Sequence, residues 1–326
     1  DVVSLALPDQ WHAIPAVMAA RAGLDIYGEK PLSRSIRESR AICDAVHRYG
    51  RIWQTGSWQR SISNFHHACE IVRNGRIGKV HRVEVGLPYG HTDFGGTFGQ
   101  EAPEKPPKNL DYDFWLGPAP WAPYHPDRCH YKFRFVSDYS GGDVTNWGAH
   151  HLDIAQWALG MDHSGPVEVV GHGQRNRSGL HDTFFDVHVD FLYDNGSTIE
   201  MRSGDKTGGV RIEGSEGWID VSRETLNANS KSILDSRIGP NELQLVPQGT
   251  RTTHMGNWLD CVRANNSQRL NVPVETGHRS ATVCHLANIA MELGRPLRWN
   301  PEQEQFVDDA QADRYRWRPP RAPWNT

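Results

Sequence analysis

The first 55 residues alternate short apolar segments with helical ones. Val2–Leu7 is an almost entirely apolar run, which predicts a strand buried on both faces. Helical patterns cover Ala13–Ala22 and Ile36–Arg48, and short strands are predicted at Leu24–Tyr27 and Arg51–Thr55. This β-α-β-α-β order predicts a parallel doubly wound sheet, and it matches about half of a dinucleotide-binding Rossmann domain.

The character of the chain changes after Ser57. Several strands with alternating polarity follow a helical segment, and the Asn195-Gly196 pair predicts a tight hairpin turn between two of them. We therefore predict two domains: residues 1–57 as the C-terminal half of a Rossmann domain, and residues 58–326 as a larger α/β domain with a mostly antiparallel open sheet. The Pro- and Trp-rich tail is expected to run along the surface of this second domain.

Composition excludes several classes of protein. The net charge is −4, with 35 basic and 39 acidic residues, so a nucleic-acid partner is not expected. No segment approaches the roughly 20 apolar residues of a membrane helix. The five cysteines are odd in number and widely spaced, which favours reduced thiols in the core over disulfides or a zinc ribbon. We expect a cytoplasmic protein, although an export signal before Asp1 stays open as an alternative.

Two polar segments follow predicted parallel strands. Pro8-Asp9-Gln10-Trp11-His12 comes after the first strand and Gly28-Glu29-Lys30-Pro31 after the second. Ligands of open α/β sheets bind at the carboxyl ends of strands, so both segments are expected to line one crevice. A partly desolvated lysine beside a cationic nicotinamide would have a pKa suited to proton transfer. The alternatives are a solvated loop lysine and a helix cap by Asp9.

The densest polar segment is Gly141-Gly142-Asp143-Val144-Thr145-Asn146-Trp147-Gly148-Ala149-His150-His151-Leu152-Asp153. On a helix, Asn146, His150 and Asp153 share one face, and an imidazole near a carboxylate is typical of a proton relay. A capped helix start with a structural histidine is the alternative. Metal binding is not expected, because neighbouring residues on a helix, as in His150-His151, point about 100° apart.

Together these segments resemble the Gfo/Idh/MocA family of sugar and polyol oxidoreductases, and the resemblance extends to the distal segment GHRSATVCHLANIAMELGR. It implies NAD or NADP as cofactor, a carbohydrate substrate and a homo-oligomer, either a dimer or a tetramer. It also implies that Lys30 is the catalytic lysine, which contacts nicotinamide and the reacting hydroxyl, and that His150 transfers the proton. The cofactor is expected to contact Pro8, Trp11, His12, Glu29, Lys30 and Pro31. The substrate is expected to contact Arg60, Tyr131, His151 and Asp153.

The chain departs from the family pattern at position 146. The family usually has aspartate four residues before the histidine, and Asn146 stands there. An amide can bond His150 but cannot raise its pKa as a carboxylate would. Asn146 is therefore kept as a catalytic candidate, and Asn146→Asp is expected to raise the pKa of His150.

A second departure is the absence of a G-x-G-x-x-G turn; Gly171-x-Gly173 lies in a β-rich region and does not fit. About 70 residues would supply the missing β-α-β half of a Rossmann domain. We expect that half to precede Asp1, because a natural truncation would expose an apolar strand edge.

Three functional hypotheses follow. The first is an NAD(P)-dependent dehydrogenase that oxidises a secondary hydroxyl of a sugar, polyol or glycoside. The second is a variant of the first, in which the enzyme reduces and reoxidises bound NAD in one turnover and thereby cleaves a glycoside. The third is a non-catalytic carbohydrate-binding or scaffold protein of the same fold, which Asn146 and the absent glycine-rich turn would favour and Lys30 and His150 oppose.

Overall fold

A computed structural model describes residues 1–88, 102–204, 209–245 and 253–324. The predicted parallel unit is present. Its three strands lie in the order β1-β2-β3, and both neighbouring pairs are parallel. The elements are β1 (Val2–Leu5), α1 (Ala13–Arg21), β2 (Asp25–Gly28), α2 (Ile36–Arg48) and β3 (Trp53–Thr55).

The prediction that the first strand is buried on both faces is wrong. Val2 is 46% and Leu7 36% exposed, because β1 is an outer strand with β2 as its neighbour among the described residues. By contrast, β3 on the opposite side of β2 is buried along its length.

A second sheet of nine strands follows in the order β10-β9-β8-β4-β7-β6-β5-β11-β12. Strands β4 and β7 pair in parallel, and the other pairs are antiparallel. The mixed fold class predicted from the sequence is therefore confirmed. The strands are β4 (Val80–Leu87), β5 (Glu168–Gln174), β6 (Phe185–Leu192), β7 (Thr198–Ser203), β8 (Gly209–Gly214), β9 (Trp218–Ser222), β10 (Leu226–Ala228), β11 (Leu297–Asn300) and β12 (Gln305–Phe306).

Helices cover one face of this sheet, and the main core lies between the two layers. Alternating strand residues such as Val83, Val85, Val189 and Phe191 point into that core and are fully buried. The opposite face carries charged residues, for example Arg82, whose guanidinium lies 2.7 Å from Glu200. The helices after β3 are α3 (Ser63–Arg73), α4 (Tyr112–Leu116), α5 (Asp143–Asn146), α6 (Gly148–Leu159), α7 (Lys231–Leu234), α8 (His254–Ala264), α9 (Val274–Leu293) and α10 (Ala310–Arg314).

Helices α8 and α9 also pack on the parallel unit. Val274 and Ala281 of α9 belong to the apolar cluster formed by α1, α2 and the strands of that unit, and Trp258 of α8 packs against Tyr27. Close approach requires glycine at Gly277, where a Cβ atom would lie 2.3 Å from Thr55 Oγ1. The boundary at residue 57 stays a prediction.

A long segment rich in proline, glycine and aromatic residues, 88–130, predicted from its sequence to be irregular, lies partly outside the described residues. Its described part and the residues that follow it form a separate aromatic cluster around Tyr112, Tyr124 and Tyr139. The C-terminal tail returns to this segment, since Trp324 packs edge-on against Phe114 with 5.6 Å between ring centroids, and it also packs against Trp11 at 4.8 Å. All five cysteines are buried and free, as predicted. Among the described residues no helix is long and apolar enough to cross a bilayer.

Candidate active site

Lys30 and Asn146 meet where the two units face each other. Lys30 follows β2, and its Nζ donates hydrogen bonds to the backbone oxygen of Asn146 at 2.9 Å and to Asn146 Oδ1 at 3.0 Å. Asn146 ends α5, a single turn that begins after Gly142. The glycine there has a positive φ of 70°, which favours a residue without a Cβ atom. The amide thus contacts the lysine rather than the histidine that the sequence analysis paired it with.

The environment of Lys30 suits acid–base chemistry. Burial lowers the pKa of Lys30 to about 8, and the nearby Asp9 carboxylate acts in the opposite direction. Two of the N–H groups of the amine are used by Asn146. A neutral Lys30 therefore keeps its lone pair free for a substrate hydroxyl, and an ammonium keeps its third N–H.

His150 lies on the first turn of α6 and is 7% exposed. Its Nδ1 is buried and has no hydrogen-bond partner among the described residues, so Nε2 is the nitrogen left for a ligand. Burial, followed by the charge of Lys30, holds the pKa of His150 well below its usual value. At neutral pH the ring is therefore an uncharged acceptor. The rings of Trp58 and Trp147 each lie 6.1 Å from it.

A cavity of about 520 Å³ opens beside Lys30 at the carboxyl ends of β1 and β2. It is lined by six of the predicted site residues, namely Pro8, Glu29, Lys30, Pro31, Tyr131 and Asn146, and also by Asp9 and Arg134. Its size is that of a small-molecule site, and its place at the strand ends fits a nicotinamide and its ribose. Burial raises the pKa of Asp9 at this edge.

Trp11 and His12 were expected to contact the cofactor, but they do not line this cavity. Trp11 Nε1 donates to the backbone oxygens of Phe114 and Trp115 at 3.1 and 3.0 Å, which turns the indole into the aromatic cluster. His12 lies under the cavity wall, with its ring nitrogens 2.7 Å from Pro31 O and 2.8 Å from Leu7 O. Both residues therefore hold the two strand-end segments in place.

Arg60 and Asp153 were expected to contact substrate, but their charged groups are already paired. The side chains are 2% and 0% exposed, and Arg60 Nη2 lies 2.8 Å from Asp153 Oδ1. Ser280 Oγ donates to the same carboxylate oxygen, and Arg60 also contacts Asp162. Asp153 shares the face of His150 in sequence, but its carboxylate points into this buried ion pair.

The other two predicted substrate contacts, His151 and Tyr131, differ in their location. His151 is fully buried and bonds Gly86 O through Nδ1 at 2.8 Å, and burial lowers its pKa to about 4. It faces the sheet rather than the cleft. Tyr131 is 47% exposed and lines the cavity, so it stays a candidate.

Sequence reasoning missed three residues near the site. Arg134 lines the cavity from the 3-10 turn His130–Phe135, and Trp58 and Arg223 lie on the His150 side. The available sequence signal was the position of Trp58 and Arg223 shortly after strands, but neither residue belongs to a recognisable motif. In the part of the chain described here, no group of three potential metal ligands is present.

Sequence comparisons match the chain to known oxidoreductases. The model for "Oxidoreductase family, C-terminal alpha/beta domain", of the Gfo/Idh/MocA group, matches residues 65–326. The NAD(+)-dependent scyllo-inositol 2-dehydrogenase of Bacillus subtilis is 25% identical over 277 residues, which are 81% of this chain and 68% of that protein. Levoglucosan dehydrogenase of Pseudarthrobacter phenanthrenivorans is 31% identical over 160 residues, or 49% of this chain and 33% of the relative.

Solved structures share the fold. The aldose-aldose oxidoreductase of Caulobacter crescentus, complexed with glycerol, superposes with a TM-score of 0.64 at 20% identity, over 91% of this chain and 79% of that one. A levoglucosan dehydrogenase complex with NADH and levoglucosan gives 0.63 at 18% identity, with the same two coverages. The family match covers most of the chain. The presence of a parallel sheet and a larger mixed sheet, with a cleft at Lys30, is consistent with that match. The chain belongs to the Gfo/Idh/MocA oxidoreductase family.

Proposed function

We propose that the protein is an NAD(P)-dependent dehydrogenase that oxidises a secondary hydroxyl of a sugar or polyol. The observation that carries this proposal is the contact of Lys30 Nζ with both oxygens of Asn146, beside a cavity at the strand ends. The relatives named as inositol and levoglucosan dehydrogenases support the substrate class, and NADH in a related structure supports the cofactor.

The chemistry divides between the residues according to their pKa values. Pro8, Glu29, Lys30 and Pro31 would hold a nicotinamide, which would supply the acceptor for the hydride that leaves the carbinol carbon. The hydroxyl proton passes to the neutral amine of Lys30, whose pKa of about 8 makes it a stronger base than His150. His150 accepts a hydrogen bond from the substrate through Nε2 and thereby orients it. The carbonyl product and a Lys30 ammonium remain.

Replacement of Lys30 by methionine tests the proposal. Loss of the proton acceptor should lower kcat by about 10²–10⁴-fold, while circular dichroism and NADH binding measured by fluorescence stay close to the parent. Lys132→Met is the matched control, because Lys132 pairs with Asp127 outside the strand-end cavity. Turnover of the Lys30 variant within twofold of the parent would contradict the assignment.

A further inference from the structure

Arg223 follows β9, and its guanidinium lies between two indole rings. The Cζ atom is 4.6 Å from the ring centroid of Trp58 and 4.8 Å from that of Trp147. Both indoles also contact the imidazole of His150 edge-on, with 6.1 Å between centroids. The cation and the histidine at the proposed reacting centre therefore share the same two aromatic neighbours.

The hydrogen-bonding capacity of Arg223 is mostly unused. Nη2 donates to Gln59 Oε1 at 3.3 Å, and Nε is buried without a partner. Within residues 1–88, 102–204, 209–245 and 253–324, no carboxylate oxygen lies within 4.0 Å of a guanidinium nitrogen of Arg223, which is the distance limit for an ion pair. The carboxylate of the neighbouring Glu224 is turned to Ser222 Oγ, 3.4 Å away.

A second arginine stacked on tryptophan in the same sheet shows the contrast. Arg211 lies 4.0 Å from the ring centroid of Trp218, and its Nε is 2.7 Å from Glu213 Oε1. The charge of Arg211 is thus balanced within the protein. Buried or half-buried cations are normally paired in this way, because an uncompensated charge is costly to desolvate.

A ligand carboxylate would supply the missing counter-charge. Guanidinium presents a planar set of donors that matches a carboxylate in a bidentate geometry, and stacking on indoles fixes the plane of that set. We propose that the substrate is an acidic sugar whose carboxylate binds Arg223 while its reacting hydroxyl lies at Lys30 and His150. This inference rests on the dehydrogenase function proposed above, and it assigns Arg223 as the residue that selects the acidic substrate.

Matched pairs of acidic and neutral sugars test the inference. D-glucuronate against D-glucose and D-galacturonate against D-galactose are each assayed with NAD and with NADP. In at least one pair the parent protein should prefer the acid by tenfold or more in kcat/KM. Arg223→Met should remove that preference through a KM about 10- to 100-fold higher for the acid, as expected for loss of a charge-assisted hydrogen bond. Neutral-sugar turnover should stay within about twofold, and Arg223→Lys should restore part of the preference.

Arg48→Met is the control, since Arg48 also lies on an aromatic ring, that of Tyr49, but at the end of α2. Calorimetric titration of the protein with glucuronate and galacturonate gives a readout that needs no turnover, and heat of binding should be lost in Arg223→Met alone. A neutral sugar preferred in both pairs, or equal losses for acid and neutral sugar in Arg223→Met, would overturn the inference. Turnover of neither class, with acid binding retained, would instead overturn the dehydrogenase function.

Discussion

The neutral side chain at position 146 has a consequence for the lysine it contacts. Asn146 accepts two hydrogen bonds from Lys30 Nζ and adds no negative charge. A carboxylate in that place would favour the ammonium form. The family pattern predicted an effect of position 146 on His150, but the geometry transfers that effect to Lys30.

Asn146→Asp should therefore raise the pKa of Lys30 above about 8. Because lysine is a base only above its pKa, the rise of kcat/KM with pH in the oxidation direction should move to higher pH by about one unit or more. Oxidation at pH 7 should fall about tenfold as a result. The measurement is kcat/KM against pH for both proteins with one substrate.

Asn146→Ala serves as the neutral comparison. This substitution removes one hydrogen-bond acceptor and adds no charge, so the rise of its kcat/KM with pH should not move to higher pH. If the profiles of the parent and the aspartate variant superimpose, Lys30 is not the group that titrates in catalysis.

Single residues also show why part of the site escaped prediction. The place of Lys30 at the end of β2 was predictable because it follows a strand closely, and local pattern suffices for that. Trp11 was assigned to the cofactor on the same grounds, but its indole bonds Phe114 and Trp115, more than 100 positions away. Arg60 and Asp153 are 93 positions apart and neutralise each other, which no local motif reveals.

At the scale of elements, the Arg60–Asp153 ion pair joins the turn after β3 to α6, and Ser280 ties α9 to the same carboxylate. Both charged groups are buried, so removal of either one takes a counter-charge away from the other and lowers the free energy of unfolding. Asp153→Asn should lower the free energy of unfolding by about 3 kcal/mol, the lower end of the cost of breaking a buried pair, because Asp162 still pairs with Arg60. Urea denaturation measures this change.

Asp260→Asn is the control, since the Asp260–Arg263 pair on α8 is exposed and should contribute less than about 1 kcal/mol. The KM of the Asp153 variant should match that of the parent. Unchanged stability together with a raised KM would return Asp153 to the substrate site.

The elements themselves were largely predictable. The helix ending at Leu159 and the strands from Glu168 to Ser222 follow local periodicity, which a single sequence carries. Helical periodicity in the sequence is clear from Ser280 to Leu293, but helix α9 begins at Val274, directly after Pro273. Pairing between distant strands is not encoded locally, and the parallel register of β4 with β7 joins Arg82 to Thr198.

For the whole molecule, the charged outer face of the nine-stranded sheet is the surface on which we expect a second copy to pack. Arg82 there contacts Glu84, Glu200 and Glu213. A polar contact of this kind is wet and sensitive to salt. Sedimentation at micromolar concentration should show a multiple of 36.8 kDa.

Arg82→Glu places a fourth carboxylate beside these three and should shift the population to monomer. Arg263→Glu, at an exposed position of α8, should leave the assembly unchanged. A parent protein that sediments only as a monomer would contradict this prediction.

Helix α9 has a consequence for the order of events during synthesis. The strands and helices of the parallel unit leave the ribosome before α9, but their apolar cluster is completed by Val274 and Ala281. The backbone of Thr55 likewise bonds the oxygen of Val272, at 2.9 Å. More than 200 residues must therefore be translated before the first sheet acquires its full core. Until then its apolar helix faces lack their native cover, so a nascent chain stalled before residue 272 should be a better chaperone client than one stalled after α9.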